Sequence, residues 1–171
     1  MSGLVASPAR LGESRLSDGR LLGWAERGRP DGVPVLLCPG AATSRWLGVG
    51  AGAVEALGVR LVSVSRPGLG TSIPAPGRSF AEFAEDIRHL AARRGLRRPA
   101  MVGNSQGGPF ALACAVAGLT GALALVSGTD EVAAGTRQAA VPCWASAPHR
   151  GGHADAHQPR THEAPVRRGP S

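Results

Sequence analysis

The segment that most constrains this chain is Pro99-Ala100-Met101-Val102-Gly103-Asn104-Ser105-Gln106-Gly107-Gly108. A short apolar run leads into Gly-x-Ser-x-Gly, and a run of small residues compatible with a helix follows from Pro109 to Ala117. Strand, sharp turn and helix is the order that raises a serine above the end of a sheet. The turn is so tight that positions two residues either side of Ser105 can hardly carry a side chain, hence Gly103 and Gly107. The hydroxyl then stands clear, and the next backbone N–H, that of Gln106, points where an oxyanion would form. An ordinary Gly/Ser turn between strand and helix is the plain alternative.

The chain before this turn alternates between two periodicities. Arg15 to Leu21 reads as a hairpin turn around Asp18-Gly19, with Leu21 to Glu26 as its second arm. Val33 to Cys38 is a continuous apolar run, as expected of a strand buried on both faces. A loop at Pro39-Gly40-Ala41-Ala42 follows, and a helix is expected around Ser44 to Leu57. Arg60 to Ser65 is a further buried strand, closed by a turn at Arg66-Pro67-Gly68-Leu69-Gly70. Ser79 and Glu82 then form a capping box. Phe80, Phe83, Ile87 and Leu90 recur at helical spacing and give that helix one apolar face. Arg93 and Arg94 suit the negative end of its dipole, and Gly95 is placed to stop it. Ala122 to Val126 is one more strand. Strands alternating with helices predict an α/β fold: a mostly parallel sheet flanked by helices, with an antiparallel hairpin at its N-terminal edge.

From about Ala133 this patterning ends. Val141, Trp144 and Val166 are the bulky apolar residues of the remaining tail, and they fall into neither repeat. Residues 1–132 are therefore expected to form the folded unit. Residues 133–171 are expected to be a disordered, low-complexity tail, too poor in apolar surface to offset its ordering entropy. Its histidines at 149, 153 and 157 would share a helical face and invite a metal reading. Pro148, Gly151-Gly152 and Pro159 work against any helix there, so no metal site is expected.

Charge and composition exclude several partners. The net charge is +7 and all 19 basic residues are arginine, with no lysine. In a chain rich in Ala, Gly and Pro this reads as GC-rich coding. The arginines form no stripe, Tyr is absent and Phe and Trp are few, so stacking platforms for nucleic acid are not expected. Cys38, Cys114 and Cys143 lack paired spacing, which argues against a disulfide framework or zinc site. The N-terminus lacks a continuous apolar signal segment, so a reducing cytoplasm is expected. The uncharged stretch Phe110 to Gly128 is long enough to suggest a membrane span. Gly118-Leu119-Thr120-Gly121 divides it into helix and strand, and a soluble chain is expected. The turn at Gly68-x-Gly70 lacks the third glycine and following acidic residue of a dinucleotide site, so no cofactor is expected.

With the Ser105 turn, the Pro39–Ala42 loop and the Arg66-Pro67-Gly68-Leu69-Gly70-Thr71-Ser72 turn in this order, the chain resembles the α/β-hydrolase superfamily. The closest likeness is to its single-domain esterase, lipase and haloperoxidase-like branch, and it covers roughly Arg15 to Asp130. The resemblance implies hydrolysis of a small ester-like substrate through an acyl-enzyme. Ser105 resembles the nucleophile, and the backbone N–H groups of Gln106 and Ala41 resemble the oxyanion hole, with Gly40 allowing close approach. Asp130, after the sixth strand, is the candidate acid, with a flexible loop residue as the alternative. A serine at this turn argues against the dehalogenase and epoxide hydrolase branches, which use aspartate there.

The chain departs from the pattern in three places. Pro39-Gly40 stands where many members carry His-Gly, and Ser65 where many carry aspartate. The tail does not resemble the later strands that bring the acid and the histidine, so a truncated or frame-shifted member is expected. His89 lies on the capped helix, away from the turn. His149, His153, His157 and His162 lie in the tail, and which of them, if any, serves as base is open. A non-catalytic remnant or interaction module of the same fold is the alternative function, self-associating through the exposed edge at Ala122–Val126.

Overall fold

The computed structural model describes residues 7–128. Its centre is a six-stranded sheet of order β1-β2-β4-β3-β5-β6. The strands are β1 (Arg10–Arg15), β2 (Leu21–Gly28), β3 (Val33–Cys38), β4 (Val59–Val64), β5 (Ala100–Asn104) and β6 (Ala122–Val126). β1, β2 and β4 pair antiparallel, whereas β4, β3, β5 and β6 run parallel. The opening hairpin turns at the expected place, where Leu16 N–H donates to the Arg20 carbonyl at 2.8 Å and Gly19 takes φ 84°.

Both faces of the central strands β3 and β4 are covered, as their apolar runs predict, whereas β6 is exposed along most of its length. Leu36 and Val62 belong to a core with Phe83, Ile87, Leu90 and Met101. Their immediate neighbours along the same strands, Leu37 after Leu36 and Leu61 before Val62, pack with Val54 on the opposite face. The first face is closed by α2 (Phe80–Arg94) and α3 (Gly108–Val116), the second by α1 (Ala51–Ala56). α2 begins and ends on its own sequence signals. Glu82 N–H donates to Ser79 Oγ and Ser79 N–H to Glu82 Oε2, and Gly95 closes the helix at φ 66°.

One expected helix is much shorter than its sequence suggests. The sequence predicts one helix around Ser44 to Leu57, but within that span only Ala51–Ala56 is helical. The carbonyls of residues 45–47 are taken by side chains from the sheet instead. Arg27 donates to the Trp46 carbonyl at 2.7 Å and to the Arg45 carbonyl at 3.3 Å. Ser63 Oγ donates to the Leu47 carbonyl at 2.7 Å. Gly48 and Gly50 then weaken any helical continuation.

The uncharged stretch from Phe110 to Gly128 is likewise divided, into most of α3 and then β6. Among the described residues no helix is long and apolar enough to cross a membrane.

The sheet's connectivity fixes where a site can form. β3 sits between β4 and β5, so the chain leaves it in one direction and returns on its other side. Crevices at the carboxyl ends of strands flanking such a switch point are where ligands bind in open α/β sheets. Cys38 pairs with Gly103 at this end. The loop after β3 and the turn after β5 therefore lie side by side.

Candidate active site

Ser105 leads out of β5 through a short 3-10 turn (Ser105–Gly107) into α3. It is a non-glycine residue at φ 49°, a conformation that costs an L-residue roughly 1–2 kcal/mol. Its surroundings enforce the turn. A Cβ on Gly103 would lie 2.8 Å from Gly108 Cα and 2.9 Å from Ala111 Cβ. A Cβ on Gly107 would lie 2.0 Å from the Cys38 carbonyl oxygen and 2.7 Å from that of Pro39. The two glycines flanking Ser105 thus let α3 start directly against the end of β3.

The loop after β3 closes on the same point. A Cβ at Gly40 would meet Ser105 Cβ and Asn104 Oδ1, each at 3.1 Å. The Gly40 carbonyl is held by two donors, Arg66 Nη2 at 2.8 Å and Thr43 Oγ1 at 2.9 Å. Arg66 is buried, and its guanidinium lies 5.0 Å over the Phe110 ring. The turn after β4 is thereby tied to the loop after β3 and to α3. Ser65, where the family pattern has aspartate, accepts the Arg45 N–H at 3.0 Å through Oγ.

A cavity of about 580 Å³ opens beside this turn. Ala41 and Gln106 line it, with the loop at residues 66–69 and the segment leading into α2. Ser105 is half-buried and is not among the lining residues, so the cavity meets the turn through its two neighbours.

Ser105, Gln106, Gly40 and Ala41, the residues read from the sequence, are brought to one corner of the sheet. His89 is not among them. It sits on α2 with Nε2 3.0 Å from the Arg15 carbonyl oxygen, and three strands separate β1 from β5 in the sheet. Asp130 and the histidines at 149, 153, 157 and 162 lie outside the described residues.

Sequence reasoning missed two parts of the site. Helical spacing puts Phe80 on the apolar face of α2, yet it is 44% exposed and lines the cavity, whereas Phe83, Ile87 and Leu90 are buried. Its place in the first turn of the helix is the signal that could have set it apart. Arg66 was read only as part of a turn, and nothing local marks it as the donor to Gly40. Two thiols lie in the core rather than at the site. Burial pushes Cys114 up to about 12 and Cys38 higher still, so neither is a competing nucleophile at neutral pH.

Comparison with known proteins decides the family. A model of the alpha/beta hydrolase fold matches residues 33–165. The chain belongs to the α/β-hydrolase fold family. The match begins at the first residue of β3 and extends to residue 165, past the described residues.

Solved structures agree with this assignment. An esterase from Rhodococcus is 27% identical with TM-score 0.55, covering 69% of this chain and 46% of that one. A membrane phospholipase A, a bacterial virulence factor, is 27% identical with TM-score 0.60, covering 72% and 42%. An alpha/beta hydrolase from Sphaerobacter thermophilus is 26% identical with TM-score 0.53, covering 67% and 44%. The chain spans less than half the length of each of these structures. No curated protein sequence matches it.

Proposed function

We propose that this chain is a serine hydrolase that cleaves a carboxylic ester through an acyl-enzyme formed on Ser105. The observation that carries this reading is the left-handed conformation of Ser105 at φ 49°, retained against its steric cost at the switch point of the sheet. Strain of this kind persists where the surroundings over-determine it, and it clusters at active sites. Esterase structures with the same fold support a hydrolase.

In the proposed reaction Ser105 Oγ attacks the ester carbonyl carbon as its proton passes to a general base. The backbone N–H groups of Gln106 and Ala41 receive the oxyanion. Collapse of the tetrahedral intermediate expels the alcohol, which takes up the proton, and water then releases the acid from Ser105. Asp130 is proposed as the acid that orients the base. The base itself is sought among His149, His153, His157 and His162. Free, buried Cys38 and Cys114 fit a reducing compartment, and the cytoplasm is the proposed location.

Turnover of 4-nitrophenyl acetate by the purified chain tests the reaction. Ser105→Ala should lower the rate by about a thousandfold or more, as loss of a triad nucleophile does. Equal turnover by both proteins refutes the reading.

A second reading, an interaction module without catalysis, draws on the sheet edge. β6 pairs with β5 alone among the described residues. Its Leu125 and Val126 are 50% and 49% exposed. Such an edge is a template for pairing with another chain, here a second copy.

A further inference from the structure

The end of the sheet opposite Ser105 is basic and partly apolar, and we propose that it seats the protein on an anionic lipid bilayer. Ser105 and its cavity lie beyond the carboxyl ends of the parallel strands. The opposite end is built from the first residues of β3, β4 and β5 and the last turn of α2. Arginines that are scattered through the sequence meet there.

The last turn of α2 carries Arg93 and Arg94, and the loop into β5 adds Arg97 and Arg98. Arg93, Arg97 and Arg98 are exposed and have no ion pair among the described residues. Beside them Arg94, Arg60 and Arg10 share one buried carboxylate, Glu26, at 2.6, 2.7 and 3.4 Å. One anion among three guanidinium groups leaves a positive excess, and the Arg10 side chain is 46% exposed. The other carboxylates near this end are Asp31, paired with Arg29, and Glu55 on α1. The excess survives this local pairing.

Apolar side chains stand among the charges. Val33 is 62% exposed and Leu57 72%. The register pairs Val33 with Val59 and Val35 with Ala100, which sets the start of β3 between Arg60 and Arg98. The Val33 N–H donates to the Gly58 carbonyl at 2.9 Å, so the chain at Leu57 runs beside Val33. Exposed aliphatic groups among arginines suit a bilayer surface: the first enter the headgroup boundary and the second meet anionic headgroups. A nucleic acid would answer the charge but leave Val33 and Leu57 in water. It would also find no stacking platform in Trp24, which is buried under Arg94. Docked in this way, the protein turns the cavity beside Ser105 away from the bilayer.

The experiment floats the full chain with phosphatidylcholine vesicles, with and without about 30% phosphatidylglycerol. At low salt the chain should partition about tenfold or more strongly onto the anionic vesicles, and about 0.5 M salt should remove most of that difference. Arg97→Glu with Arg98→Glu should weaken partition by about tenfold or more. Arg15→Glu with Arg88→Glu makes the same change in net charge away from this end and should weaken it by less than about threefold. Leu57→Ser should weaken it by about threefold or more. Equal partition onto both kinds of vesicle overturns the proposal. So does equal loss in the two double variants, which would assign binding to net charge alone, and so does unchanged binding by Leu57→Ser. Binding to duplex DNA without binding to the anionic vesicles assigns the arginines to nucleic acid instead and also overturns it. The comparison of vesicles uses the unmodified chain and decides the matter even where a variant does not fold. Ser105→Ala should float as the parent protein does, so the outcome is independent of the hydrolase reading.

Discussion

At position 105 a serine accepts a backbone conformation usually left to glycine, φ 49°, and the residues two positions either side are glycines because the space there is already taken. That separates glycines needed for space from those that are not. Gly107→Ala would place a methyl carbon 2.0 Å from the Cys38 carbonyl oxygen, against backbone that cannot swing aside. The expected cost is about 3 kcal/mol, at the upper end for overpacking, read as a lower urea midpoint. Gly52→Ala in α1 meets nothing within 4 Å and should raise stability by up to about 1 kcal/mol through helix propensity. Equal effects at the two positions would contradict this account of the turn. The residue scale is also where the sequence was most legible, because Gly103, Ser105 and Gly107 are constrained by one another within five positions. Arg66 was not legible, since its role depends on a carbonyl at Gly40 that only the fold brings near.

Among the elements, α2 and the strands it crosses are joined by buried charge. Glu26 on β2 accepts from Arg60 Nη2 at 2.7 Å and from Arg94 Nη2 at 2.6 Å, and Arg10 Nε lies 3.4 Å from its other oxygen. The Arg94 guanidinium also stacks 3.9 Å from the Trp24 ring centroid. Burial pushes the Glu26 carboxyl up, and the hydrogen bonds from Arg60 and Arg94 outweigh it, holding the group below the ordinary glutamate value. A depressed carboxyl contributes stability that is present above its unfolded pKa and lost as pH falls through the folded one. Glu26→Gln should therefore cost about 2 kcal/mol near neutrality, since it removes the buried anion that the partly buried Arg60 and Arg94 share. The gap from the parent protein should narrow below about pH 4. Urea denaturation across pH checks both, and a gap that stays constant contradicts the ion-pair account. Elements with local signals were readable: β3 and β6 from unbroken apolar runs, α2 from Ser79, Glu82 and Gly95. The segment at residues 44–50 was not, because Arg27 and Ser63, distant in sequence, take the carbonyls a helix would have used.

For the molecule as a whole, the described sheet is asymmetric. β1 and β6 are its two edge strands, each paired on one side only among the described residues, and β6 presents Leu125 and Val126, 50% and 49% exposed. The proposed pairing of β6 with a second copy would make sedimentation concentration-dependent, and Leu125→Lys should then shift the protein toward monomer by charging that edge. Sedimentation of a monomer at all concentrations in the unmodified chain removes this mode. The chain order of the described sheet was legible because strand and helix periods alternate along it. The cavity was not, since its walls come from four separate segments that meet only after the sheet has formed.

The account rests on Ser105 being a reactive oxygen on a sheet of the hydrolase type. Treatment of the native chain with a fluorophosphonate, followed by peptide mapping, tests this most directly. The predicted result is a single adduct on Ser105, absent from Ser105→Ala and from the urea-unfolded protein. A native protein that takes up no label, or takes it up at another residue, contradicts the account.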